Sequence, residues 1–204
     1  MKSNELSHLL FCQKELKNFQ SNERSFNIEN INNPRQKKFF LHKYVKKHSL
    51  IISKLKNFPF LIENVVYKNK NLKRSNLLKR LEKSKNQLNF TLNLNQKFIN
   101  NDFKVISKII KTTKTDNKIK FLSKKSKIIL NYCRNEKAAV KYKLDYKGMT
   151  GFTFEVQNLN QLYNYCKKNE YTMTKLINIK IINKLKIFFV RLKSGLIIEI
   201  LQKL

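Results

Sequence analysis

Nine residues, QLNFTLNLN at 87–95, alternate apolar and polar, mostly amide, side chains without a break. Side chains along a strand point to opposite faces with a period of two, so this segment reads as a strand with one apolar and one amide-lined face. An apolar face must be covered, and the following residues supply the cover. Asp102 is a candidate N-cap for a helix carrying Phe103, Ile106, Ile109, Ile110 and Thr113 on one side. Lys118–Ser123 alternates Ile119 and Phe121 as a second strand, and KKSKIILNYCRNEK reads as a basic loop with a short extended part. Val140, Tyr142, Leu144 and Tyr146 alternate with polar residues as a third strand closed by Gly148. Phe152–Cys166 fits two periods. Phe152, Phe154 and Val156 alternate, whereas Phe152, Val156, Leu159, Tyr163 and Cys166 recur at helical spacing, and the helical pattern covers more residues. Leu176–Ile182 follows, and then KIFFVRLK and LIIEIL flank Ser194-Gly195, a hairpin turn between two apolar runs. Such an order predicts an α+β fold, a mostly antiparallel sheet with helices packed on one face.

The segments before residue 87 are of another kind. Residues 1–38 are polar and Asn-rich, and read as an N-terminal extension, a tail or weak helix. FFLHKYVKKHSLIISKLK places Phe40, Tyr44, Ile51 and Leu55 on one helical face, with Asn57 and Pro59 ending it. Leu77, Leu78 and Leu81 suggest a short helix within the basic stretch YKNKNLKRSNLLKRLEKSK. The reading is thus an extension at 1–38, a basic helical segment at 39–86 and an α+β RNA-binding domain at 87–204, with helical structure at the N-terminal end.

Charge is what points to a polyanionic partner. The chain has 44 Lys and Arg against 13 acidic residues, a net charge of +31. Residues 1–30 carry four basic and four acidic side chains, so the whole surplus lies in 31–204. Part of it is compositional. Phe, Tyr, Met, Ile, Asn and Lys, all with A/T-rich codons, fill 111 of 204 positions, and Lys outnumbers Arg 38 to 6. Codon drift does not require the loss of acidic residues, however, and a surplus this large repels itself unless a polyanion neutralises it. Lys141, Lys143 and Lys147 share one side of the third strand as compact charges suited to phosphate. Tyr132 is a candidate for stacking on bases, and Tyr142 and Tyr146 are more readily core residues beside Val140 and Leu144.

Other classes find little support. Cys12, Cys133 and Cys166 are odd in number and widely spaced, which argues against a disulfide framework or a zinc site, and His8, His42 and His48 do not cluster with them. No apolar run approaches a membrane span, and the first 20 residues lack the features of a secretory or transit signal. There is no Gly-rich phosphate loop, metal-ligand spacing or His beside an acid, so neither a cofactor nor catalysis is expected. One string, Leu192–Glu199, resembles the acidic helix motif of intron-encoded homing endonucleases. A maturase or endonuclease acting through Glu199 is the minor alternative.

Three stretches resemble the ribosomal protein L-five family, the large-subunit proteins that bind 5S rRNA. HKYVKKHSLIISKLKNFPFLIENV is similar to that family's opening helix, and NFTLNLN to its first strand. FLSKKSKIILNYCRNEKAAVKYKLDYKG runs along its second strand, loop and third strand. The resemblance covers roughly 40–168 and lies in order and spacing rather than in one motif. It implies ribosomal RNA, peptidyl-site tRNA and neighbouring ribosomal proteins as partners in a mitochondrial large subunit. It also implies that Asn93, Lys124, Lys127 and Lys147 face RNA, with Arg134, Asn135 and Lys137 in a tRNA-side loop. Another organellar ribosomal protein would share the same physics.

Overall fold

The computed structural model describes residues 4–13, 24–29, 47–54, 61–67, 87–122, 127–134, 148–179 and 184–204. The chain divides into two compact units. One comprises residues 1–7, 86–141 and 152–204, and the other 8–85 and 142–151.

The second unit is built from strands where the sequence suggested helix. β1 (Glu5–Gln13) begins in the first unit and continues here, joined by β2 (Arg24–Glu29), β3 (Lys47–Lys54) and β4 (Leu61–Tyr67). β3 is antiparallel to both β2 and β4, and β4 runs parallel to β1. The helix proposed over Phe40–Leu55 is therefore replaced, in its described part, by a central strand. Its face was drawn from residues four, seven and eleven apart. The local run Leu50-Ile51-Ile52 carries adjacent β-branched side chains that suit a pleated surface better than a helix. The extension shows the same override. Leu6 and Leu10 are both buried in β1, four positions apart, a spacing compatible with one strand face as well as one helix face. The short helix suggested near Leu77–Leu81 lies outside the described residues.

The first unit is α+β, with two helices and mixed sheets. β5 (Gln87–Asn95) matches the alternating run, then a 3-10 turn at Gln96–Phe98 leads into α1 (Ile99–Ile109). β6 (Thr112–Lys114), β7 (Lys118–Leu122) and β8 (Lys127–Cys133) complete a sheet of order β5-β8-β7-β6. β7 is antiparallel to β6 and to β8, but β5 and β8 are parallel. The short extended part read within the basic stretch is thus an inner strand of seven residues. Ile128 and Leu130 are fully buried and Ile129 is 8% exposed, so both faces of β8 are covered, and its polar flanks disguised it.

Gly148–Glu155 forms β9 and Leu159–Lys168 forms α2. The helical pattern preferred for Phe152–Cys166 therefore holds only for its second half, and the first half is the strand that the alternation indicated. Asn158 separates them, its Oδ1 accepting from the Gln161 N–H at 3.0 Å as the helix cap. β10 (Thr172–Met173) and β11 (Ile177–Ile179) pair with β12 (Leu185–Arg191), which forms the anticipated hairpin with β13 (Ile197–Lys203). Gly195 sits at φ 97°, where a side chain would clash, and its N–H closes the turn on the Leu192 carbonyl at 2.9 Å. The third strand proposed at Val140–Tyr146 lies outside the described residues.

The core of this unit is aromatic at its centre. The Phe121 ring packs edge-on against Phe152 and Phe154, with centroids 5.9 and 5.5 Å away, and all three are at most 1% exposed. α1 presents Val105, Ile106 and Ile109 to this core, and α2 presents Leu159, Leu162 and Cys166. Cys166 is a buried free thiol. No helix among the described residues is long and apolar enough to cross a membrane.

A polar cleft at the carboxyl ends of β5 and β8

Parallel pairing sets the carboxyl ends of β5 and β8 side by side, with Asn95 opposite Cys133. Because β7 runs against β8, the turn joining β6 to β7 arrives at the same end, where the Asn117 carbonyl accepts from the Tyr132 N–H at 2.8 Å. α1 starts there too, one 3-10 turn after β5. These segments border a cleft of about 800 Å³ lined by Asn95, Gln96, Lys97, Ile99, Asn100, Lys114, Asp116 and Arg134. That volume suits a small-molecule ligand.

Local hydrogen bonds hold the rim in place. Asn95 Oδ1 accepts from the Lys97 N–H at 2.9 Å and caps the 3-10 turn. Gln96 Nε2 donates to the Asp116 carbonyl at 2.7 Å, tying the turn after β5 to the turn after β6. Lys114 Nζ donates to Asn100 Oδ1 at 2.7 Å, and Lys97 Nζ lies 5.0 Å from the centre of the Phe98 ring. Three cations on three separate elements thus share the cleft with one carboxylate. The positive end of α1 lies at the same border, adding to the attraction for an anion.

Behind the cleft lies a buried acid. Asp102, in the first turn of α1, is 0% exposed. The Tyr132 hydroxyl donates to its Oδ2 at 2.8 Å, and the Ser194 N–H donates to its Oδ1 at 3.3 Å. Burial pushes the Asp102 carboxyl up from 3.8 to about 6, against the opposing pull of hydrogen bonds from Ser194, Tyr132 and the Lys193 backbone. Burial, together with the neighbouring Asp102 charge, likewise raises the Tyr132 phenol far above its usual range. The proposed cap is therefore an internal strut. The helix begins three residues earlier, so Asp102 falls on the inward face instead of at the end.

Of the residues singled out in the sequence to face RNA, Asn93, Lys127 and Arg134 lie among the described residues. Arg134 reaches the cleft. Lys127 is exposed at the other end of β8, roughly 20 Å away at about 3.3 Å per strand residue. Asn93 lies in β5, two residues before Asn95. Lys124, Asn135, Lys137, Lys141, Lys143 and Lys147, with Tyr142 and Tyr146, lie outside the described residues. Tyr132, considered for base stacking, is 4% exposed and committed to Asp102. Glu199, the acid of the endonuclease reading, is 4% exposed in β13 and accepts from the Thr153 hydroxyl at 2.7 Å. It sits on a hairpin strand rather than on a helix, so the motif's geometry is absent. Lys97, Lys114 and Asp116 were not anticipated. Each follows or ends a strand, and only the parallel β5–β8 register brings them together.

Comparison with known proteins corrects the family reading. No family model matches the chain, and no curated protein matches it. Solved structures that align include a glyoxalase/bleomycin resistance protein/dioxygenase from Alicyclobacillus acidocaldarius, at 12% identity and a TM-score of 0.38 over 57% of this chain and 89% of that one. Others are a fosfomycin resistance protein from Mesorhizobium loti (6%, TM-score 0.39, 58% and 90%) and a glyoxalase family protein from Enterococcus faecalis (12%, TM-score 0.40, 56% and 92%). These likenesses run to glyoxalase and resistance proteins rather than to the 5S rRNA-binding ribosomal proteins. The assignment to that family falls, and with it the ribosomal function, the ribosomal RNA, tRNA and ribosomal-protein partners, and the endonuclease alternative. The structure agrees in one particular, with a strand in the described part of the supposed opening helix. At these scores the likenesses assign no chemistry to the present chain.

Proposed function

We propose that the first unit binds a small, multiply charged oxyanion in the cleft at the carboxyl ends of β5 and β8. The observation that carries this reading is the convergence of Lys97, Lys114 and Arg134 from three elements around one cavity, opposed among the described residues by Asp116. Lysine ammonium groups and an arginine fork suit phosphate, sulfate and carboxylate oxygens. The carboxamides of Asn95, Gln96 and Asn100 have capacity left for neutral oxygens of the same ligand, and the Asp116 carboxylate suits a hydroxyl donor. A phosphorylated or sulfated polyol matches that set.

We read the role as binding. Among the described residues, no Ser, Cys or His lines the cleft, and Asp116 has no second acid opposite. Among the described residues, no three His, Cys, Asp or Glu side chains gather where they could hold a metal ion. Calorimetric titration with glucose 6-phosphate and inorganic sulfate at fixed ionic strength tests the reading. Saturable binding is expected, weakened at least tenfold by Lys97→Gln plus Arg134→Gln. Equal affinity in the double variant would remove the cleft from consideration.

A further inference from the structure

We propose that anion binding in the cleft is coupled to uptake of a proton by Asp102. This rests on the cleft as the anion site and concerns how that site is regulated. Asp102 is fully buried, and its hydrogen-bond partners among the described residues are all neutral: the Tyr132 hydroxyl, the Ser194 N–H and hydroxyl, and the Lys193 N–H. It lies on the first turn of α1, two and three residues after Asn100 and Ile99, which line the cleft. Through Tyr132 it is also bonded to β8 two residues before Arg134. An ionised Asp102 and an anion in the cleft therefore draw on the same positive helix end and repel each other through a poorly screened interior.

The groups around it do not cancel that charge. Tyr132 faces it from β8, and Tyr171 follows α2, its hydroxyl donating to the Asn101 carbonyl at 3.3 Å. Cys166 is buried on α2, with its thiol pushed up to about 11 by burial, and is neutral with the tyrosines. The nearby ammonium groups are engaged elsewhere. Lys193 Nζ lies 5.3 Å from the Tyr171 ring centre and Lys108 Nζ 4.7 Å from that of Tyr165, while Lys114 holds Asn100 and Lys97 lies over Phe98. Lys118 and Lys120 are carried by β7, and Lys167 and Lys168 end α2. Occupation of the cleft adds negative potential at Asp102. The carboxylate then takes a proton from solvent, RCOO⁻ + H⁺ → RCOOH, keeping Tyr132 as a neutral donor. Two unit charges about 10 Å apart at an effective dielectric near 20 couple by roughly a tenfold change in affinity.

Sulfate is the probe, because its own charge is constant between about pH 5 and pH 8. Calorimetry in buffers of different ionisation enthalpy is expected to show proton uptake on binding near pH 6.5 and far less at pH 8. Affinity should fall roughly tenfold between about pH 5 and pH 8, about threefold of it above pH 6.5. Asp102→Asn should flatten the profile. Tyr132→Phe, which removes a donor to the ionised form, should move the inflection to higher pH. Sulfate binding with a pH profile unchanged in Asp102→Asn, or without proton uptake in the wild type, would overturn the coupling while leaving the cleft intact. No sulfate binding at any pH would instead overturn the cleft itself.

Discussion

The same helix serves two regions of opposite character. From Val105 to Ile109, α1 faces a dry core where Phe121, Phe152 and Phe154 meet edge to face. Its first residues, Ile99 and Asn100, border a cleft lined mainly by amides and charges. The core is held by burial of apolar area and has one well-packed solution. The cleft is held by hydrogen bonds between loops, so its side chains can exchange partners with a ligand. Asp102 lies at the junction, buried like the core but polar like the cleft. The contrast teaches that in this fold the rigid part positions the loops, and the loops carry the charges that bind.

Changes to the core should have the largest effect. Phe121→Ala leaves a cavity among rings, and a loss of about 3–5 kcal/mol in denaturant-induced unfolding is expected. A loss under about 1 kcal/mol would mean that the core is not built around this ring.

The junction comes next. The Asp102 carboxyl titrates near 3.8 when unfolded and about 6 when folded, so the folded state holds the proton more tightly. Its contribution therefore improves as pH falls from about 7 to about 4, is complete below the unfolded value, and is lost as pH rises through the folded value. The span is about 3 kcal/mol by the usual conversion of pKa units. Comparison of wild type with Asp102→Asn across this range isolates it, and a pH-independent difference would show that Asp102 does not titrate as described. Tyr132→Phe leaves a buried carboxylate oxygen short of a donor and should cost about 1–3 kcal/mol at neutral pH.

The surface should matter least. Lys203 Nζ meets Glu155 Oε2 at 2.6 Å, but the lysine side chain is 58% exposed. Lys203→Ala should change stability by less than about 1 kcal/mol, and less still in high salt.

These differences track what the sequence made legible. β5 was readable because its Leu88–Leu94 alternation repeats without interruption, and the β12–β13 hairpin because Ser194-Gly195 divides two apolar runs. The α+β class followed from the order of such segments. β8 was legible only as a short extended part, because a strand covered on both faces has no alternation, and its basic flanks read as loop. The described part of the Phe40–Leu55 helix reading proved to be a strand, because side chains spaced by four, such as Ile51 and Leu55, serve either period. Arg134 is the sequence-derived site residue that, among the described ones, lines the cleft, and Lys97, Lys114 and Asp116 had no signal, since their meeting depends on register between segments distant in sequence. Total charge was a poor guide to address. A surplus of +31 states that anions are attracted, not where one would sit.

The most direct test is sulfate and sugar-phosphate titration of the full chain against two charge-matched double variants, Lys97→Gln plus Arg134→Gln and Lys127→Gln plus Lys203→Gln. Each removes two cations, so nonspecific attraction weakens equally. Selective loss of binding in the first is expected. Equal loss in both, or none in either, would contradict a built anion site at the ends of β5 and β8.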